Sequence, residues 1–238
     1  MKYTYLLIDF FTVVMPLVFS FDSRVAFYKK WKYLVPAMLI TAALFIVWDH
    51  YFTLAGVWSF NDKYTLGLDI WVLPIEEVLF FITVPYSCVF IYENVLCYKP
   101  KQWLPERLGS ILIFVAVVAG VLAYLSIGHA YTLSVTLGMA ILLPVAVWLL
   151  GAVQLEGFVL AFFISIIPML IVNGILTALP VVSYDDHQNC GVRIGTIPVE
   201  DFLYGALLLG INICLYEVLQ SIAARNSSGS NKMSRADV

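Results

Sequence analysis

Seven apolar stretches, each about as long as a bilayer is thick, constrain what this chain can fold into. A helix that crosses the hydrocarbon core needs about 20 mostly apolar residues. The 238-residue chain is 62% hydrophobic and only 12% charged, whereas a soluble domain is about 45–50% apolar and about 25% charged. The sequence therefore predicts an all-α membrane protein with about seven transmembrane helices. They are expected at residues 5–21, 33–52, 73–97, 109–127, 131–152, 156–179 and 198–222.

The lysines and arginines lie mostly in segments that share one side of the predicted bundle. The opposite side holds only Lys2, Lys63 and Arg193. Cytoplasmic loops of membrane proteins carry an excess of lysine and arginine. We therefore expect an integral protein of the inner or plasma membrane, with its N-terminus outside and its C-terminus in the cytoplasm. The basic residues on the predicted cytoplasmic side are Arg24, Lys29, Lys30, Lys32, Lys99, Lys101, Arg107, Arg225, Lys232 and Arg235.

An internal repeat organises the chain. The motif PIEE at residues 74–77 returns as PVED at residues 198–201, which is 124 positions later. At the same spacing Asp49 falls opposite Asn173. Both copies run in the same direction, so we predict two parallel three-helix repeats, helices 1–3 and 5–7, joined by helix 4, and sites tend to lie between such repeats. The predicted division is 1–97 for the first repeat, 98–130 for the connector, 131–222 for the second repeat and 223–238 for a disordered tail.

Acidic side chains converge at the outer ends of the predicted helices. Acids are rare within membrane spans, usually face the bundle interior and mark functional sites. Crowding and desolvation favour the neutral acid, whereas a helix N-terminus favours the carboxylate, so the sequence leaves that balance open. A neutral acid beside an ionised one suits general acid–base catalysis. The candidate catalytic residues are Glu76, Glu77, Glu200, Asp201 and Asp49.

Aromatic residues are concentrated near the same layer. Most are expected to form an interfacial belt, but an aromatic face also attracts a cation. The candidate substrate-binding residues are Phe80, Trp58, Tyr204, Asn173 and Trp48. Glu93 and Glu217 lie 17 residues after Glu76 and Glu200, about 25 Å along a helix, and are predicted to be structural or interfacial.

Several other site classes have no sequence signal. There is no HxxH or HExxH spacing, no GxGxxG and no P-loop, so we expect no metal, nucleotide or flavin cofactor. The net charge of -3 gives no indication of a nucleic-acid partner.

The paired motifs at 74–77 and 198–201, together with residues 48–50 and 56–61, resemble the membrane-integral, flavin-independent lycopene β-cyclases. Members of that family occur as two small subunits or as fused chains, including the cyclase half of fungal cyclase/phytoene synthase proteins, and this chain resembles the fused form. The second half departs from the pattern, because Asn173 replaces an acid and Val181-Val182 stands where the first half has Val57-Trp58.

The resemblance implies a redox-neutral cyclisation of a linear carotenoid such as lycopene, drawn from the lipid phase, to a β-ring carotenoid such as β-carotene. It implies Glu76, Glu77 or Glu200 as the acid, with Asp201 and Asp49 as partners or base. Phe80, Tyr204 and Trp58 would then stabilise the cation. Expected partners are the carotenoid, membrane lipid and other enzymes of the same pathway.

Two alternatives remain at this stage. A carotenoid hydratase or another membrane prenyl-lipid enzyme would use related acid chemistry, although a prenyltransferase would need acids spaced for a metal-bound diphosphate. A proton-coupled transporter or seven-helix receptor would also fit parallel repeats and buried acids. A retinal-binding protein is disfavoured because the chain has no lysine between Lys101 and Lys232.

Overall fold

The fold is known from a computed structural model that describes residues 2–98 and 103–236, with side chains described as far as Asn226. Within these ranges the chain forms seven α-helices, of which six are long and apolar enough to cross a membrane. The predicted helical membrane architecture is therefore confirmed. The helices are α1 (Thr4–Phe19), α2 (Trp31–Leu54), α3 (Ile75–Tyr98), α4 (Leu108–Leu125), α5 (Ala130–Leu149), α6 (Ala152–Ala178) and α7 (Glu200–Ala236).

Two helices differ from the expected pattern. Helix α1 is apolar but has only 16 residues, fewer than a perpendicular span of the bilayer core requires. The backbone of α7 stays helical to Ala236, through most of the segment predicted to be a disordered tail. Lys99 and Lys101, which entered the topology prediction, lie outside the described residues.

Short strands connect the helices at one end of the bundle. Strand β1 pairs antiparallel with β4, and Ser59 lies opposite Ser183 at the centre of the pairing. The hairpins β2–β3 and β5–β6 lead directly into α3 and α7. Trp71 and Gly195 occupy the matching turns with φ values of 59° and 63°. The strands are β1 (Trp58–Phe60), β2 (Asp69–Ile70), β3 (Leu73–Pro74), β4 (Val182–Tyr184), β5 (Arg193–Ile194) and β6 (Ile197–Pro198).

The helices pack across the two halves of the chain. Helix α1 lies against α3, and α5 lies against α7. Contacts also cross between the halves, because α2 packs on α7 about as extensively as on α3, and α6 packs mainly on α3. Helix α4 packs on α5 at the periphery. Helices α3 and α7 are therefore central, and the acids in their first turns lie inside the bundle.

Candidate active site

A buried cavity of about 60 Å³ lies where α3 and α7 begin and α2 and α6 end. Its wall contains the carboxyl groups of Asp49, Glu77 and Asp201 together with Asn173. The three acids are only 2%, 8% and 3% exposed. Four of the predicted polar site residues therefore meet around one cavity. Apolar and aromatic side chains complete the wall, among them Trp58, Phe60, Phe80, Leu176, Val182 and Tyr204.

Asp201 receives three hydrogen bonds from neighbouring side chains. The Tyr131 hydroxyl donates to Oδ1 at 2.7 Å, and the Tyr184 hydroxyl and Asn173 Nδ2 donate to Oδ2 at 3.0 and 3.2 Å. Burial, together with the charge of Asp201, holds the pKa of Tyr184 well above its usual value. Tyr184 therefore keeps its proton and remains a donor to this carboxyl group.

The other two cavity acids have fewer donors. The Tyr5 hydroxyl donates to Glu77 Oε2. Asp49 Oδ2 is buried with no hydrogen-bond partner among the described residues, and Asp49 interacts electrostatically with Glu77. The cavity thus contains one carboxyl group with several donors and two with few. That difference is chemically useful, because hydrogen bonds to a carboxylate stabilise its ionised form.

Glu76 and Glu200 have a different environment from their sequence neighbours. Glu76 Oε1 accepts the backbone N–H of Leu66 at 2.7 Å, and Glu200 Oε1 accepts that of Cys190 at 2.8 Å. The Thr132 hydroxyl also donates to Glu200, at 2.5 Å. Neither acid is part of the cavity wall. Both fix the loops that precede the hairpins, so the structure does not bring them together with Asp49, Glu77 and Asp201.

Comparison with known proteins identifies the family. The model of the family described as Lycopene cyclase matches residues 2–95 and again residues 128–219. This chain belongs to the lycopene cyclase family. The bifunctional lycopene cyclase/phytoene synthase of Pyrenophora tritici-repentis (strain Pt-1C-BFP) is 30% identical over an alignment of 95 residues, and the match covers 34% of this chain. The match covers only 16% of that relative's length. No solved structure matches the chain.

Of the four aromatic residues predicted for this cyclase-family site, three line the acid cavity and one lies behind them. Phe80, Trp58 and Tyr204 form part of the cavity wall. Trp48 lies behind Tyr204, with ring centroids 5.2 Å apart, and is not part of that wall. Phe80, Trp58 and Tyr204 therefore line the same cavity as the three acids, while Trp48 packs against Tyr204.

The sequence analysis missed two tyrosines that bind the cavity acids. Tyr5 and Tyr131 are each the fourth residue of a segment matched by the cyclase family model. They are 126 positions apart, whereas the acidic motifs are 124 apart. At the constant spacing of 124 positions, Tyr5 aligns with His129 instead of Tyr131. The correspondence between the two tyrosines was therefore missed. Allowing a two-residue shift between α1 and α2 would have found both.

Asp9 is a further buried acid that the sequence analysis missed. It lies one helical turn after Tyr5, is 2% exposed, and accepts the Thr83 hydroxyl at 3.4 Å. Its Oδ2 has no partner among the described residues. A carboxyl group within an apolar run was itself a sufficient signal, because such acids are rare in membrane spans.

Glu93 and Glu217 lie at the opposite end of α3 and α7. The Tyr216 hydroxyl donates to Glu93 Oε1 at 2.5 Å, and the Tyr92 hydroxyl donates to Glu217 Oε1 at 2.8 Å. Lys30 forms an ion pair with Glu93. These contacts join the two central helices, as expected of structural residues.

A larger apolar groove of about 590 Å³ runs between α1 and α6 and over parts of α3 and α7. It shares Phe80, Asn173, Asp201 and Tyr204 with the acid cavity. Side chains along its rim, such as those of Phe11 and Ile171, are largely exposed. The groove therefore connects the acids of this cyclase-family protein with the surface that faces lipid in a membrane.

Proposed function

We propose that this protein cyclises an end of a linear carotenoid such as lycopene to a β-ionone ring, giving a product such as β-carotene without net oxidation or reduction. The observation that carries the proposal is the set of Asp49, Glu77 and Asp201 around one buried cavity that continues into an apolar groove. The groove suits a hydrocarbon chain, and the cavity suits the proton transfers at its end. Membership of the lycopene cyclase family supports the same conclusion.

The proposed reaction is an acid-catalysed isomerisation within one molecule. A carboxylic acid donates a proton to the terminal C1=C2 double bond and leaves a tertiary cation. The C5=C6 double bond attacks this cation and closes a six-membered ring. A base then removes the proton from C6 and forms the new C5=C6 double bond. One proton enters and one leaves, so the enzyme acts as an intramolecular lyase or isomerase and needs no cofactor.

The hydrogen-bond donors support different roles for the three acids. Three donors stabilise Asp201 as a carboxylate, and we assign it the role of base. Glu77 and Asp49 are close together with fewer donors, and two such carboxyl groups in an apolar site cannot readily both ionise. We assign this pair the role of proton donor. A substrate in the groove passes Asp201 first, so its terminal double bond lies deepest, towards Glu77 and Asp49.

The aromatic walls stabilise the positive charge in this scheme. Phe80, Trp58 and Tyr204 line the space between donor and base, and an aromatic face attracts a cation more strongly once water is excluded. Ring closure must also be faster than capture of the cation by water, because capture would give a hydrated product. The burial of the acids and the aromatic rings in the wall favour ring closure.

We also propose that the halves are parallel repeats related by a pseudo-twofold axis. Several contacts support this arrangement because they recur in both halves. Leu66 with Glu76 corresponds to Cys190 with Glu200. The β1–β4 pairing is centred on Ser59 and Ser183, which are themselves 124 positions apart. The site then lies on the axis, at the end of the bundle predicted to face outward.

Expression in a bacterial host that accumulates lycopene tests the proposed function. Chromatography and mass spectrometry of the extracted pigments should show a cyclic product with the mass of lycopene. A product heavier by one water molecule would instead identify a hydratase. Unchanged lycopene in cells that contain the folded, membrane-inserted protein would contradict the proposal.

A further inference from the structure

The apolar groove between α1 and α6 corresponds, on the other side of α3 and α7, to a region where aromatic rings pack together. Positions 124 residues before the groove residues Met169, Val172 and Gly205 are Phe45, Trp48 and Phe81. Three small or flexible side chains in one half thus correspond to three large aromatic ones in the other. We call Phe45, Trp48 and Phe81 the aromatic plug.

The aromatic plug is tightly packed. Phe45 and Phe81 are fully buried, with ring centroids 6.0 Å apart. The Trp48 ring lies 5.5 Å from that of Phe45. Tyr204, from the wall of the acid cavity, packs against the plug, 5.0 Å from the Phe45 ring. The plug therefore fills, with aromatic rings, the space that the groove leaves open in the other half.

The small residues on the groove side keep it accessible up to the acids. A Cβ atom added to Gly205 would meet nothing closer than Met169 Sδ at 3.5 Å, so the missing side chain leaves space on this wall of the groove. Val172 lies in the groove immediately before Asn173, which donates to Asp201. A chain end that reaches the acid cavity must pass these two residues.

We infer that the α1–α6 groove is the single channel through which the linear carotenoid reaches the acids, and that Val172 and Gly205 determine its width while the aromatic plug closes the equivalent path. This inference rests on the proposed function for the identity of the substrate. Contact with the acid cavity favours the reacting polyene over a membrane lipid, because an acyl chain ends in saturated carbons and brings no terminal double bond to the acids.

The single channel has a consequence for the order of products. Only one end of a symmetric substrate lies among the acids at a time. The second end reaches them after the molecule leaves the groove and returns reversed. A monocyclic carotenoid is therefore a free intermediate, which accumulates early in a time course while linear substrate remains in excess.

The test introduces the plug residues on the groove side. Val172→Trp and Gly205→Phe each place at the groove position the residue found 124 positions earlier in the chain. Ile164→Trp is the control for Val172→Trp, because Ile164 is also on α6, is 47% exposed and lies outside the groove wall. Each variant is purified in detergent from the lycopene-accumulating host. Retained carotenoid per protein, cyclised product and the melting temperature are measured.

We expect the wild type and Ile164→Trp to retain linear carotenoid and to cyclise it. Val172→Trp and Gly205→Phe should lose both properties while melting cooperatively. Retention and cyclisation equal to the control in either folded variant would overturn the inference, as would purification of the wild type with lipid but no carotenoid. A wild type that retains lycopene through Val172 and Gly205 but never cyclises it would contradict the proposed function alone.

Discussion

Adjacent glutamates in the first turn of α3 offer a sharp test of the site, because the structure gives them different environments. Glu77 faces the acid cavity and accepts the Tyr5 hydroxyl. Glu76 accepts the Leu66 backbone N–H at 2.7 Å and is not part of the cavity wall. The substitutions Glu77→Gln and Glu76→Gln remove the same titratable group one residue apart. They are therefore each other's control.

Glu77→Gln should greatly reduce turnover. Proton transfer by a positioned acid or base contributes about 10²–10⁴-fold to a rate, which corresponds to about 3–5.5 kcal/mol in the activation barrier. The amide can still accept the Tyr5 hydroxyl but cannot donate a proton to an alkene. The loss should therefore appear in turnover, with little loss of folded protein.

Glu76→Gln should behave in the opposite way. Its side-chain oxygen still accepts the Leu66 N–H, so only the charge-assisted part of the bond is lost, about 1 kcal/mol of stability. Turnover per folded protein should stay within about threefold of the wild type, which is about 0.65 kcal/mol. Initial cyclisation rates in lycopene-loaded membranes, normalised to folded protein, measure both effects. Equal losses of turnover in the two variants would refute the assignment of roles.

Three further changes test the surroundings of the acids. Tyr131→Phe removes one hydrogen-bond donor from Asp201, which is about 1.5–3 kcal/mol of carboxylate stabilisation. Turnover should therefore fall, but less than in Asp201→Asn. A larger loss in Tyr131→Phe than in Asp201→Asn would contradict the role of Asp201 as base. Asp9→Val removes a buried, partly unpaired carboxyl group and should stabilise the protein by about 1–3 kcal/mol, with activity retained. A loss of activity would instead indicate that Asp9 delivers protons to the site. Tyr216→Phe removes a hydrogen bond to buried Glu93 and should lower the melting temperature in detergent by an amount equivalent to about 1–3 kcal/mol. A changed turnover per folded protein would contradict a purely structural role for Tyr216 and Glu93.

The sequence was sufficient for the helices because hydropathy depends on composition over about 20 residues. Pro74 and Pro198 also marked the starts of α3 and α7 to within two residues. The choice between Glu76 and Glu77 was beyond a sequence argument. Adjacent helical residues point about 100° apart, so only one of them can face a given cavity, and which one does depends on the rotation of α3 against its neighbours.

The remaining features depend on contacts distant in sequence. Strand β1 and strand β4 have three residues each, too few to give a recognisable alternation, and they pair across more than 120 positions. Tyr5 and Tyr131 were hidden by the two-residue shift between the repeats. Asp9 was visible in the sequence, but it has no acidic counterpart, and the search for paired acids passed over it.

The crossed packing of α2 on α7 and of α6 on α3 has an evolutionary implication. If the halves are repeats as proposed, neither half alone completes the packing around α3 and α7, so a half-length ancestor would have required a second copy as its companion. Fusion of two such copies would have let each change separately. One copy could then fill its crevice with rings while the other kept its crevice open, a division of labour that a symmetric homodimer encoded by one gene cannot achieve.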